Sequence, residues 1–226
     1  MKEAGLAELS TLIAEVRSAS ARATSGELRR DRLYLVSRTS HLAEGWCDRV
    51  PAFELAGDAH LRQGYGGQDG GQAGSTDLGD AAREAARALG IHLVWESPAD
   101  VIPLPAGFEE RSRPATIGQG GAGNALEIRH FDPYSVVLRL IARGDEPDYV
   151  AALEYVLHKW VEPARLEGLL SEVVPRMTNQ TLAQDPAEFR RKFKGLRQLY
   201  LRSHAVYSPG GTRAGEAVCL DPLPGL

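Results

Sequence analysis

The sequence predicts an α/β protein, with a small sheet in its N-terminal part and helices in its C-terminal part. Residues 1–131 hold short apolar runs of strand length, and helical patterns separate these runs. Residues 132–203 instead hold four consecutive amphipathic patterns with helix start and stop signals. We therefore expect an α/β part over 1–131, a helical part over 132–203 and a loose tail over 204–226.

The N-terminal part begins with a helix, a strand, a short helix and a second strand. Residues 4–23 are predicted to form the first helix because apolar side chains recur at helical spacing, at Leu6, Leu9, Leu12, Ile13 and Val16. Residues 33–36 form a continuous apolar run typical of a buried strand. A short helix over 40–44 is expected to end at Gly45, and a strand follows over 53–56.

A segment rich in glycine and glutamine then interrupts the pattern over residues 62–76. Glycine loses the most backbone entropy on ordering, and this segment offers little apolar area to compensate, so we expect a flexible insertion. It lacks the GxxxxGK[ST] pattern of a phosphate-binding loop. Regular structure is predicted to resume with an alanine-rich helix over 78–89, which Gly90 ends.

Two further strands are predicted over residues 91–97 and 125–131. The second alternates cleanly, which places Leu126, Ile128 and His130 on one side of the sheet. The alternate residues, including Glu127, point to the other side. Between the two strands, residues 98–114 contain several prolines and are expected to be irregular.

Local signals define the helices of the C-terminal part. Asp132 is suited to the N-cap of the first, Pro133 to its first position and Gly144 to its end. Further helices are predicted over 148–160, 162–175 and 185–203. We also expect five apolar side chains to share one core, namely Trp46, Trp95, Ile128, Val137 and Ile141.

Composition excludes some classes of protein. The chain has 226 residues and a net charge of −4, so it has no global attraction for nucleic acid or anionic membranes. No stretch has the roughly 18 apolar residues that a membrane span needs, and the N-terminus lacks the apolar region of a secretory signal. The cysteines Cys47 and Cys219 are expected to be free thiols, and the six histidines show no metal-binding spacing. A cytoplasmic protein is expected.

Several phrases of the sequence together resemble one superfamily. They are RLYLV, EGW, LAGD, LGIHLVWESPADVIPLPAGFEERS, HFDPYSVVLRLIARGD, VEPARLEGLL and DPAEFRRKF, and they cover most of residues 32–195. The chain resembles the polymerase-beta-like nucleotidyltransferases, in their small toxin and abortive-infection branch. The resemblance implies a mixed sheet flanked by helices. It also implies magnesium-dependent transfer of a nucleotidyl group from a nucleoside triphosphate to an RNA or protein hydroxyl, and an antitoxin-like partner.

The resemblance also implies where an active site would lie. In the superfamily, a Gly-(Gly or Ser) turn holds phosphates, and the corresponding residues here are Ser37 and Arg38. An Asp-x-Asp pair holds magnesium, and the corresponding residues here are Ala52 and Glu54. Glu127 is the candidate for a third carboxylate. Catalysis and magnesium binding are thus assigned to Glu54 and Glu127, and nucleotide binding to Ser37 and Arg38.

These positions depart from the pattern of an active enzyme. Ala52 removes one carboxylate of the pair, and Glu54 moves the other by about one bond length. A misplacement of about 1 Å can reduce the rate about a hundredfold. A serine and a threonine before the pair are replaced by Arg49 and Val50, and a helical lysine by Leu140. We therefore expect impaired or absent transfer, with magnesium needed only by an active form. A register shift that recruits Asp48, Asp58 or Glu44 is the alternative that would rescue the site.

A second hypothesis is that the chain has the same fold but no catalytic activity. The chain would then be a silent module that binds protein or RNA, or a decayed copy of an enzyme. The last predicted helix concentrates basic side chains that suit either a solvated face or contacts with an RNA backbone or an acidic partner: Arg190, Arg191, Lys192, Lys194, Arg197 and Arg202.

Overall fold

The structure is a computed structural model that describes residues 3–23, 31–58, 75–95, 102–117, 126–177 and 185–206. Its strands are β1 (Ala4–Gly5), β2 (Asp31–Leu35), β3 (Arg49–Val50), β4 (Phe53–Gly57), β5 (Leu93–Trp95), β6 (Arg113–Pro114) and β7 (Leu126–His130). Its helices are α1 (Leu6–Ala23), α2 (Arg38–Ala43), α3 (Ser75–Leu89), α4 (Phe108–Arg111), α5 (Pro133–Arg143), α6 (Glu146–Leu157), α7 (Pro163–Val173) and α8 (Pro186–Val206), with a 3-10 turn at Val174–Arg176.

A five-stranded mixed sheet organises the molecule, with the strand order β5-β4-β2-β7-β6. The central strand β2 is antiparallel to β4, with Leu35 opposite Leu55, and parallel to β7, with Arg32 opposite Glu127. The outer strand β5 is parallel to β4, and β6 is antiparallel to β7. The prediction of a mixed α/β architecture is confirmed.

Apolar side chains form one core on each face of this sheet. The first core packs Tyr34, Val36 and Ala56 of the sheet against α5 to α8. The second packs Leu33 and Leu35 against α1 and α3. Successive side chains of a strand point to opposite faces, so β2 supplies both cores.

The prediction of one shared core is therefore wrong. Val137 and Ile141 lie in the first core, and Trp46 packs against it. Ile128 lies in the second core, and Trp95 packs against that one. The alternation of β7 turns Ile128 away from α5, so the sheet separates the two groups.

Helix α5 crosses the first core, and its predicted ends are confirmed. The Asp132 carboxylate accepts hydrogen bonds from the backbone N–H groups of Tyr134 and Ser135, and Gly144 ends the helix at φ 75°. Every residue of 133–142 is buried. Arg111 of α4 donates two hydrogen bonds to the same carboxylate, at 3.0 and 2.7 Å, which ties α4 to the start of α5.

Other elements differ in detail from the sequence prediction. The residues predicted to be irregular contain α4 and β6. Helix α6 begins at Glu146 and ends at Leu157, three residues before the predicted end, and Lys159 beyond it has φ 60°. Helix α8 continues to Val206. The glycine-rich segment before Ser75 and the tail after Val206 lie outside the described residues. Within the described ranges, no helix is both long and apolar enough to cross a membrane.

Candidate functional site

The turn after β2 has a backbone conformation that favours glycine. Ser37 has φ 51° and ψ −127°, and it is 1% exposed. A residue with a Cβ in such a region costs on the order of 1–3 kcal/mol, which the surrounding structure must offset. The predicted phosphate turn is thus a strained turn in which serine stands in a glycine-like conformation.

Buried hydrogen bonds hold this turn in place. The Tyr155 hydroxyl donates to the Ser37 carbonyl oxygen at 3.0 Å, and the Ser40 hydroxyl donates to the Leu35 carbonyl oxygen at 2.9 Å. The backbone N–H of Glu54 donates to the Thr39 hydroxyl at 2.7 Å. Two of these bonds reach outside the turn, so α6 and β4 fix its geometry.

Glu54 lies beside the turn at the start of β4. Its side chain is 14% exposed, and its Oε2 atom is buried without a hydrogen-bond partner. Oε2 lies 3.7 Å from Nη1 of Arg143. Burial raises the pKa of Glu54, while the guanidinium groups of Arg143 and Arg139 act in the opposite direction. The structure therefore brings Ser37 and Glu54 together, as the sequence predicted, and adds two arginines.

Four charged side chains form what we call the Glu54 cluster: Glu54, Arg139, Arg143 and Asp148. Arg143 donates two hydrogen bonds to the Asp148 carboxylate, at 3.0 and 2.7 Å. Arg139 is 5% exposed, and burial lowers its pKa to about 10, so it still carries its charge at neutral pH. Two carboxylates thus face two guanidinium groups, and the cluster is balanced in charge.

This cluster does not fit a magnesium ion. Mg²⁺ needs several hard oxygen ligands in near-octahedral geometry. Ala52 supplies none, and the Asp148 carboxylate is engaged by Arg143. A divalent cation beside Glu54 would add positive charge next to two guanidinium groups.

Glu127 lies at the other end of the sheet. It is opposite Arg32 on β2, whereas Glu54 is opposite Val36. Four residues along a strand span about 13 Å, and two strand spacings add about 10 Å across the sheet. Glu127 instead pairs with Arg129, and with Nε of Arg32 at 3.5 Å. The structure does not bring the two predicted metal ligands together, and their roles stay a prediction.

The residues considered for a rescued metal site have other partners or lie at the surface. Asp58 follows the far end of β4, where it accepts a hydrogen bond from the Tyr34 hydroxyl at 2.9 Å. The Glu44 carboxylate lies 2.9 Å from Nε2 of His130, and Asp48 is exposed. Leu140, at the position of the expected lysine, is buried in the first core. Within the described ranges, no three His, Cys, Asp or Glu side chains are grouped to hold a metal ion.

Aromatic and imidazole rings surround Trp46 next to the turn. His158 stacks on Trp46 at 4.1 Å, and His41 contacts it at 5.0 Å between ring centroids. Trp160 contacts both Trp46 and His130. Burial lowers the pKa of His41 to about 3 and that of His130 to about 4, so both rings are neutral at pH 7.

A groove of about 340 Å³ opens between this ring cluster and α6. Its lining residues are Arg38, His41, Trp46, Cys47, Glu146, Pro147, Val150, Ala151 and Glu154. Arg38 has no ion-pair partner among the residues that the structure describes. The Cys47 thiol is half-buried and free, and burial raises its pKa, which makes it a weak nucleophile.

The basic residues of α8 divide into a structural one and exposed ones. Lys192 donates through Nζ to the carbonyl oxygens of Ala142 and Arg143, at 2.7 and 3.1 Å, and so caps the end of α5. Arg191 has a side chain that is 80% exposed. Arg190 and Lys194 are also exposed. The side chains of Arg197 and Arg202 lie outside the described set.

The Glu54 cluster depends on residues that the sequence analysis did not single out. Arg139 stands within the apolar run 136–142, which gives a signal, since a charged residue in a buried helix requires a partner. Arg143 follows at the i+4 position on the same side of that helix. Asp148 gave no comparable signal, because its partner depends on how α6 packs.

Comparisons with known proteins give no match for this chain. No protein-family model, no curated protein and no solved structure matches it. A functional assignment therefore depends on the residues and their geometry.

Proposed function

We propose that this chain is a nucleotidyltransferase-like protein that has lost metal-dependent nucleotidyl transfer and acts as a binding module. One observation carries the proposal. At the position that the resemblance assigns to the metal-binding carboxylates, a single glutamate lies beside two arginines in a cluster that is balanced in charge without a metal ion.

The geometry of the turn supports the nucleotidyltransferase-like part of the proposal. The resemblance places a phosphate-binding glycine turn next to the metal-binding strand. In this chain the turn at Ser37 has the glycine-favouring conformation, and the strand β4 beside it carries Glu54. A mixed sheet flanked by helices also agrees with the resemblance.

The chemistry of the Glu54 cluster supports the loss of activity. In metal-assisted transfer, divalent ions neutralise the phosphates and align the attacking oxygen. Ala52 offers no ligand, and Arg143 lies 3.7 Å from the Glu54 carboxylate. Arg38 is free to donate to a phosphate, but a guanidinium group cannot activate a nucleophile as a metal ion does.

A transfer assay tests the proposal. The purified chain is incubated with labelled nucleoside triphosphates, magnesium and a mixed RNA acceptor pool, beside the Glu54→Ala variant. We expect both proteins to give only background labelling. Robust magnesium-dependent labelling by the wild type that Glu54→Ala abolishes would show that one glutamate suffices, and would overturn the proposal.

A repaired variant tests the position of the site. It combines Ala52→Asp, Glu54→Asp, Ser37→Gly and Arg38→Gly, which restores the carboxylate pair and opens the turn to phosphates. We expect this variant to bind magnesium more tightly than the wild type does. If it binds none, the assignment of these residues to a metal site is wrong.

A further inference from the structure

The outer face of α6 exposes two large apolar side chains that the fold leaves uncovered. Val150 is 41% exposed and Leu157 is 39% exposed. Leu6 on α1 is the other exposed large apolar side chain within the described ranges. Val150 and Leu157 are seven residues apart, which places them about 10 Å apart on the same side of the helix. Isolated exposed apolar residues are ordinary, but these two are aligned, and Val150 also lines the groove described above.

Carboxylates border this patch. Glu146 and Glu154 lie four residues before and after Val150, so all four side chains fall within one narrow stripe of the helix. Glu146 is exposed and forms no ion pair within the part of the chain that the structure describes. Among the residues that the structure describes, the one ion-pair contact of Glu154 is with the imidazole of His158, at 3.4 Å. We call Glu146, Val150, Glu154 and Leu157 the α6 stripe.

The groove beside the α6 stripe has both apolar and polar lining residues. Val150 and Ala151 give it an apolar wall. Arg38, which also lines the groove, has donors available for a carbonyl oxygen. The groove can therefore accept both an apolar side chain and polar groups.

We infer that the α6 stripe and this groove bind a segment of a partner protein in which lysine or arginine residues flank a large apolar side chain. The apolar side chain covers Val150 and enters the groove, while the cationic residues face Glu146 and Glu154. The two carboxylates repel the phosphates of a nucleic acid, and they outnumber Arg38, the arginine that lines the groove. The inference goes beyond the proposed function and does not depend on it, because the α6 stripe does not include the Glu54 cluster.

Selection from a phage-displayed library of short random peptides tests the inference. The wild-type chain is the target, and the double variant Val150→Ser with Leu157→Ser is the counter-target. Both substitutions are at exposed positions, and melting temperatures verify that the variant folds. We expect the wild type to enrich peptides with basic residues on both sides of a large apolar residue.

Fluorescence anisotropy with one enriched peptide then measures the contribution of each part. The double variant is expected to bind at least about tenfold more weakly, as loss of central apolar contacts does in other interfaces. Glu146→Gln with Glu154→Gln is expected to weaken binding about fivefold and to remove most of its salt dependence. Leu6→Ser, which removes an equally exposed apolar side chain elsewhere, is expected to leave the affinity unchanged.

Several results would contradict the inference. They are enrichment of acidic peptides, equal enrichment on the double variant, or no enrichment at all. Sedimentation that shows self-association of the wild type, lost in the double variant, would identify a second copy as the occupant. A fluorescent single-stranded RNA that competes with the peptide for the α6 stripe would assign the surface to nucleic acid instead.

Discussion

The two ends of the central strand β2 both carry ion pairs, but only one end encloses them. Beyond the carboxyl end, the Glu54 cluster is largely buried against α5 and α6, with the strained turn at Ser37 beside it. At the amino end, Arg32 pairs with Glu127, and their side chains are 36% and 38% exposed, respectively. Burial makes an unpaired charge costly, whereas water screens an exposed one. The same types of residue should therefore matter far more at the first end than at the second.

The largest expected effect follows from breaking the Glu54 cluster. Arg143→Met removes the partner of Asp148 and the nearest cation to Glu54, so both carboxylates are left poorly compensated. We expect the free energy of unfolding to fall by about 3 kcal/mol, which is the lower range for a broken buried pair because Arg143 is partly exposed. Urea denaturation measures this. Arg32→Met at the other end is the matched control, and an equal loss there would remove the contrast between the two ends.

The next largest effect is expected from lowering the pH, because the buried histidines lie near the carboxyl end of β2. Burial lowers the pKa of His130 to about 4, while an unfolded histidine titrates near 6.5. Between these two pH values the unfolded chain binds more protons than the folded chain does. The contribution of His130 to the free energy of unfolding is therefore fully present above about pH 6.5 and is lost as the pH falls toward about 4. The Glu44 carboxylate, 2.9 Å from Nε2 of His130, favours the protonated ring and opposes the effect of burial. For His130 we therefore expect a loss of at most about 2 kcal/mol between about pH 6.5 and pH 4.5.

Glu54 opposes this trend, because its raised pKa favours the folded state at low pH. Urea denaturation at a series of pH values, for the wild type and His130→Gln, measures the contribution of His130. His92→Gln, at an exposed position, is the control. If His130→Gln shows the same pH slope as the wild type, the neutral buried state of His130 is excluded.

The strained turn gives a smaller and opposite effect. Ser37→Gly should stabilise the protein by about 1 kcal/mol, because glycine adopts φ 51° without strain and its entropy cost offsets only part of the gain. Lys159→Gly, at the other non-glycine residue with positive φ within the described ranges, serves as an exposed comparison. Melting temperatures check both. A destabilised Ser37→Gly protein would mean that the hydroxyl group contributes more than the strain costs.

The smallest effect is expected at the amino end. Glu127→Gln removes the charge that pairs with Arg129 and Arg32, and the side chain is 38% exposed. We expect a change below about 1 kcal/mol in the free energy of unfolding. When it is added to the repaired variant, Glu127→Gln is expected to leave magnesium binding unchanged, because Glu127 lies at the opposite end of the sheet from Glu54. A clear loss of magnesium binding when Glu127→Gln is added to the repaired variant would bring the two ends back into one site.

Sequence patterns predict the elements better than they predict the contacts. The ends of α5 follow from Asp132, Pro133 and Gly144, which are signals within the helix itself. The strand order does not follow from such signals, and it is the order that places β7 across β2 from β4 and so separates Glu127 from Glu54. The split of Ile128 and Val137 between two cores does not follow either, because the alternation along β7 does not say which face of the sheet α5 covers.

Calorimetric titration of magnesium with a nucleoside triphosphate into the wild-type protein tests the central claim most directly. The claim is that the two arginines of the Glu54 cluster already balance the carboxylates that a metal ion would need. It predicts no magnesium-dependent heat of binding, in the wild type or in Glu54→Ala. Submillimolar triphosphate binding that requires magnesium and disappears in Glu54→Ala would contradict it.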